Sequence, residues 1–197
     1  MRADGKRLRN TDPMYTVAAH IMNKRVDAMN MITIDIPYDP MQNYLNEKRK
    51  QGINLSHMAI IVAAYLRTAA EYPQLNRFIV NSKAYPRNEG AIAMVMLKGG
   101  DADNGTMSKM YFENTDTIFD VDKKINDYVT ANREVPEKNG TEKIIKFLLS
   151  VPGLLRWGVR LFKLLDRYGL LPKFIIDMSP FHNSLVISNL ISIRTNH

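Results

Sequence analysis

At 197 residues with 45% hydrophobic content, the chain is long enough to bury a sizeable core, and its length fits one domain, 1–197. It has no cysteine, which excludes disulfides, thiolate metal sites and a cysteine nucleophile together. The net charge of +7 is spread over three basic clusters, at Arg2 to Arg9, at Lys48-Arg49-Lys50 and from Lys143 to Lys173, without the interleaved aromatics of a nucleic-acid stacking surface. No nucleic-acid partner is expected.

The residues from Met1 to Asp12 are polar and basic with no apolar run behind them, so they do not read as a secretory signal. No stretch of about 18 uncharged apolar residues follows, and the expected location is the cytoplasm. Tyr15 to Arg25 reads as an opening arm and helix. Ile32, Ile34 and Ile36 alternate with Thr33 and Asp35 and predict a strand, Met31 to Ile36, which Pro37 and Pro40 break before a short helix around Tyr44-Leu45. Met58, Ile61, Val62, Tyr65, Leu66 and Ala69 recur at helical spacing, with Ser56 placed to cap and Pro73 to stop the helix near Tyr72. Arg77 to Val80 and Ala91 to Leu97 read as strands. Gly99-Gly100-Asp-Ala-Asp-Asn-Gly105 is a turn that leads into a hairpin partner, Thr106 to Phe112. Ile118, Val121, Ile125, Tyr128 and Val129 mark a helix ending before Pro136.

Residues 142–181 form a predicted helical insertion: Lys143 to Leu149, a Pro152-Gly153 break, then Leu154 to Tyr168. On the second helix Arg156, Arg160, Lys163 and Arg167 make one basic stripe, while leucines, Trp157 and Phe162 take most of the remainder. Its first reading is a core helix with one solvated cationic face. The alternative is a lid or a peripheral membrane contact through 154–168. The last apolar run, Leu185 to Leu190, is a β-branched strand interrupted by Ser188-Asn189. Alternation of helices and strands throughout predicts an α/β fold of the α+β two-layer sandwich type, a mixed sheet with helices packed on one face.

His20 and His57 sit on helices among apolar neighbours, where a hydrogen-bonded structural histidine is expected, whereas His182 lies in a Ser-Pro-Phe-His loop of the kind that carries function. No pair of histidines has metal-ligand spacing, and Asp101 with Asp103 lacks the terminal glutamate of a calcium loop, so no metal is expected. Gly99, Gly100 and Gly105 form neither a phosphate loop nor a dinucleotide fingerprint.

Val186-Ile187-Ser188-Asn189-Leu190 resembles the Phe-Thr-Ile-Ser-Asn/Ser-Leu-Gly strand of the chloramphenicol acetyltransferases and the E2 acyltransferase subunits of 2-oxo acid dehydrogenase complexes, with Ile191 where that superfamily usually has glycine. The order of segments is similar too, from Tyr15 to Arg25 through the Met31 to Ile36 strand and the Ile53 to Arg67 helix to the Tyr72-Pro-Gln-Leu-Asn76 turn and the strands that follow. The resemblance implies a CoA-dependent acyltransferase acting on a small hydroxyl or thiol acceptor, with acyl-CoA as substrate. It implies Ser188 as oxyanion donor, Asn189 beside it to orient it, and a homotrimer when complete. His182 is a further candidate for the site.

The superfamily's catalytic base lies in a His-x-x-x-Asp-Gly motif, which this sequence lacks, and His197 falls too early to replace it. The expectation is a single acyltransferase-like domain without its C-terminal part, and without the lipoyl domain and Ala/Pro linker that precede an E2 catalytic domain. A catalytically silent binding or assembly module on the same fold, at a membrane surface or on a lipid-like group, is the alternative.

Overall fold

Ser56 shows how closely local chemistry fixes the elements. A computed structural model describes residues 2–9, 11–22, 24–97, 105–134, 154–179 and 181–188, and in it Ser56 is the N-cap of a helix His57–Glu71, its Oγ accepting from the Ala59 amide at 3.1 Å. The chain adopts the expected two-layer α/β class, with helices and, among the described residues, an antiparallel pair of strands and a three-stranded sheet. It divides into two compact units: Arg7–Pro86 with Phe112–Asn126, and the described parts of Met1–Lys6, Arg87–Tyr111 and Asp127–His197.

In the first unit α1 spans Pro13–Ile21, opened by Asp12, whose Oδ1 accepts from the Met14 amide at 2.8 Å, and by Pro13 at the first helical position. The predicted strand at Met31 to Ile36 does not form. Among the described residues no strand lies beside this segment, and Ile32, Ile34 and Ile36 are 72%, 74% and 64% exposed. Alternation reports which way side chains face in an extended chain, but a strand also needs a neighbour to take its backbone hydrogen bonds. Helix α2 then runs Tyr38–Lys50, starting directly after Pro37. Pro40 does not delay it, because a first-turn residue has no intrahelical partner for its N–H in any case.

Helix α3, His57–Glu71, buries Val62 and Leu66 of the apolar face its spacing predicts, together with Ala59, while Ile61 of that face is 43% exposed. Strands β1 (Arg77–Val80) and β2 (Lys83–Pro86) pair antiparallel through Asn81 and Ser82, whose φ values of 51° and 55° suit a tight hairpin turn. Helix α4, Ile118–Glu134, follows the hairpin expected at Phe112 and contributes the buried Val121 and Ile125. Its Asp122, 5% exposed, accepts from the Ser56 amide at 2.9 Å and the Ser56 hydroxyl at 2.8 Å. One carboxylate thereby ties the start of α3 to α4.

The second unit is built on β3 (Gly90–Leu97), the central strand of a sheet ordered β4-β3-β5, with β4 at Gly105–Phe112 and β5 at Leu185–Ser188. Ala91 to Met94 are all buried, the pattern of a strand covered on both faces. The turn predicted at Gly99 to Gly105 and the helix predicted at Lys143 to Leu149 lie outside the described residues, except Gly105 itself, which opens β4. Strand β5 runs parallel to β3, pairing Ile92 with Leu185 and Val95 with Ser188, so the chain between them must cross over; helices α4, α5 (Leu154–Tyr168) and α6 (Lys173–Met178) lie along that connection. Helix α5 has the predicted bounds. It ends at Gly169, φ 72°, with Leu170 N–H bonding Leu165 C=O and Gly169 N–H bonding Asp166 C=O, the double closure of a Schellman motif.

Candidate functional site

Strand β5 places Ser188. Along it Leu185 and Ile187 are half-buried while Val186 and Ser188 are exposed, so the serine side chain stands on the open face of the strand, beside Val95 of β3 in register. The ladder begins with a reciprocal pair, Ser184 N–H to Ala91 C=O at 2.6 Å and Ala91 N–H to Ser184 Oγ at 3.2 Å. Asn189 lies outside the described residues. His182 precedes the strand, and because β5 rises about 3.3 Å per residue its two ends are separated by about 10 Å. Ser188 is the last residue of β5, and His182 lies outside the strand, three residues before its start.

His182 has its own neighbours. Its Nδ1 is 2.8 Å from Ser179 Oγ, its Nε2 is 3.4 Å from Asp166 Oδ1 on α5, and its ring meets Phe162 edge-on at 6.0 Å. Arg2, reaching in from the N-terminal arm, donates to Asp166 Oδ1 at 2.5 Å, to the Asp166 carbonyl, and to both oxygens of Asp4 at 2.9 and 3.1 Å. The hydrogen bond with His182, then the hydrogen bond and charge of Arg2, hold the Asp166 carboxyl below its ordinary range against the opposing effect of burial.

With Nε2–H facing Asp166, Nδ1 is left to accept from the Ser179 hydroxyl, and Ser179, His182 and Asp166 stand in the order of a proton relay. Ser179 is buried, however, and the adjoining cavity, lined by Asp4, Lys109, Tyr111, Asp177 and His182 among others, is about 30 Å³. That volume admits a water or two and no acyl group. The relay works here as a latch between the arm, α5 and the loop before β5. Asp4, Asp166 and His182 also bring ligand atoms within 4.8 Å of one another, but the Arg2 guanidinium is already paired with both carboxylates. Across the same cavity Lys109 Nζ donates to Ile176 C=O at 2.6 Å and Tyr111 Oη to Asp177 at 2.7 Å. Burial first, and that hydrogen bond second, push the Tyr111 phenol well above its ordinary range.

The arm's part in this cluster was illegible in the sequence. Arg2 and Asp166 are 164 positions apart, and nothing in Arg2-Ala-Asp4 separates it from solvated basic surface. His57 and His20 are hydrogen-bonded as expected, His57 Nε2 at 3.1 Å from Gln42 Oε1 with its ring stacked on Tyr38, and His20 Nδ1 at 2.7 Å from Thr16 C=O.

No protein-family model matches the sequence, and no curated protein matches it. Among solved structures the chain is similar to the crystal structure of a probable dihydrolipoamide acetyltransferase from Listeria monocytogenes 4b F2365, with a TM-score of 0.52 over 98% of this chain and 67% of that one. The chain has the fold of an E2 acyltransferase. With 14% identity the likeness speaks for the path of the chain alone. Among the described residues no helix is long and apolar enough to cross a membrane.

Proposed function

We propose that this E2-like chain takes part in acyl transfer from acyl-CoA to a small hydroxyl or thiol acceptor, with Ser188 as the group that meets the oxyanion. The observation that supports it is the Ser188 hydroxyl on the open face of a short parallel strand, in a chain with an acetyltransferase fold. In the proposed step a base takes the proton from the acceptor, and the freed oxygen or sulfur attacks the thioester carbonyl. The C=O π pair moves onto oxygen, where Ser188 O–H donates to it. Collapse re-forms the carbonyl, breaks the C–S bond and expels the CoA thiolate, which recovers the proton.

The base comes from another segment or another copy in this reading. Both ring nitrogens of His182 are turned to Asp166 and Ser179, and it stands a strand's length from Ser188. Asn189 is the proposed neighbour that orients the serine, CoA the acyl carrier, and a homotrimer the assembly that completes the site. A second reading, a catalytically silent binding or assembly module on the same fold at a membrane surface or on a lipid-like group, is favoured by the exposed apolar and basic residues of α5.

Calorimetric titration with CoA tests binding, and thiol release from acetyl-CoA with a hydroxyl acceptor tests transfer, free of background because the chain has no cysteine. CoA binding without thiol release is expected from the 197-residue chain. Robust release abolished by His182→Gln would return the base to His182, and no CoA binding at millimolar concentration would remove the acyltransferase reading altogether.

A further inference from the structure

The exposed half of α5 is neither a solvated polar face nor a packed one. Gly158, Phe162, Leu165 and Asp166 are its half-buried positions, the packed side of the helix. On the opposite half Trp157, Leu161, Leu164 and Tyr168 are 62%, 38%, 51% and 65% exposed. At 3.6 residues per turn these four fall within about 60° of one another and span about 16 Å of helix. Arg156, Arg160, Lys163 and Arg167, each one residue earlier, form a parallel exposed stripe about 100° around the helix. The only acid on the helix, Asp166, is turned to Arg2 and His182, so the outward half carries positive charge alone. Apolar exposure continues along the chain in Leu170, Phe174, Met178 and Phe181, which are 66%, 63%, 55% and 77% exposed.

We propose that α5 is a docking surface for an anionic lipid bilayer, the helix lying in the interface plane with Trp157, Leu161, Leu164 and Tyr168 among the acyl chains and the basic stripe against the headgroups. Its features are those of an interfacial helix: a one-sided apolar stripe, a cationic flank, and a Trp and a Tyr at the two ends of the stripe, the residue types that favour the headgroup boundary. Charge complementarity selects the occupant. A neutral apolar partner would leave Arg156, Arg160 and Lys163 unanswered, whereas an anionic surface answers them at once, each with roughly fivefold in partitioning at low salt.

Trp157 is the chain's single tryptophan, so its emission reports this helix without a label. The full chain is mixed at low salt with vesicles of phosphatidylcholine alone or of equal parts phosphatidylserine and phosphatidylcholine, then sedimented. Binding to the mixed vesicles only, a blue shift of Trp157 and release by salt are expected. Arg156→Gln/Arg160→Gln/Lys163→Gln/Arg167→Gln should weaken partitioning by more than about 100-fold. Leu161→Gln/Leu164→Gln should remove the blue shift, and circular dichroism confirms that each variant keeps its helix. Wild-type protein that ignores the mixed vesicles overturns the proposal. So does equal binding by the quadruple variant, which would move the attraction to another basic cluster. A blue-shifted Trp157 without vesicles, together with a larger particle in solution, would give the face to a second copy of the chain and overturn it as well.

Discussion

Arg2→Met should be far more damaging than its place near the chain start suggests. The Arg2 side chain is 6% exposed, Asp4 is 5% and Asp166 is 26%. Removing the guanidinium leaves two carboxylates without the cation that hydrogen-bonds both, together with an Asp166 carbonyl that loses a donor. Breaking a buried pair by deleting one partner costs about 3–5 kcal/mol, and because Asp166 keeps His182 and some solvent the lower end, about 3 kcal/mol, applies. With a urea dependence of about 2–3 kcal/mol per molar for a chain of this size, the midpoint should fall by about 1–1.5 M, read by circular dichroism. Adding Asp4→Asn removes one stranded charge and should recover part of the loss.

The pH dependence has a fixed sign. Asp166 is held below its ordinary pKa of 3.8, first by the His182 hydrogen bond and then by Arg2, so its contribution is full above that value and is lost as pH falls through the lower folded-state pKa. The gap between wild type and Arg2→Met should therefore be level from neutrality to about pH 4 and close below it. A midpoint change under about 0.3 M at neutral pH would put the cluster in the class of surface ion pairs, worth about 1 kcal/mol or less, and refute the buried-network reading.

Two further outcomes follow from single contacts, besides the CoA and vesicle experiments. Gly169→Ala should lower stability by about 1–2 kcal/mol from its φ of 72° alone, and more because the new Cβ would stand 2.7 Å from Arg2 Cγ; urea unfolding of Gly169→Ala in wild-type and Arg2→Ala backgrounds should show the second part vanish with the Arg2 Cγ. Ser56→Ala removes a helix cap and the hydroxyl facing Asp122, for about 1–2 kcal/mol in thermal unfolding, while Asp122→Ala strands the Ser56 amide as well and should cost more; the reverse order would mean that α4 does not hold the start of α3.

What the sequence made legible was whatever local chemistry decides. Ser56 and Pro73 bound α3, the spacing of basic and apolar residues gives α5 and the β-branched run gives β5, because caps, breakers and side-chain periodicity act within a few residues. Hairpin β1 to β2 carries no such local signal, since Asn81-Ser82 lacks the glycine that usually announces such a turn. The segment Met31 to Ile36 failed in the opposite way. Its alternation is as clean as any in the chain, yet pairing is a property of two segments, and the pattern of one cannot supply the other.

The same distinction separates the two readings of α5. Periodicity could show that Arg156, Arg160, Lys163 and Arg167 share a stripe, and a cationic stripe on an amphipathic helix is ordinarily solvated surface over a packed apolar side. What it could not show is which apolar residues the rest of the unit uses. Once Phe162 and Leu165 turn inward, Trp157, Leu161, Leu164 and Tyr168 are left over, on the flank of the basic stripe. An apolar stripe that the fold does not consume is costly in water, and an anionic bilayer buries it while attracting the row of cations beside it in a single contact.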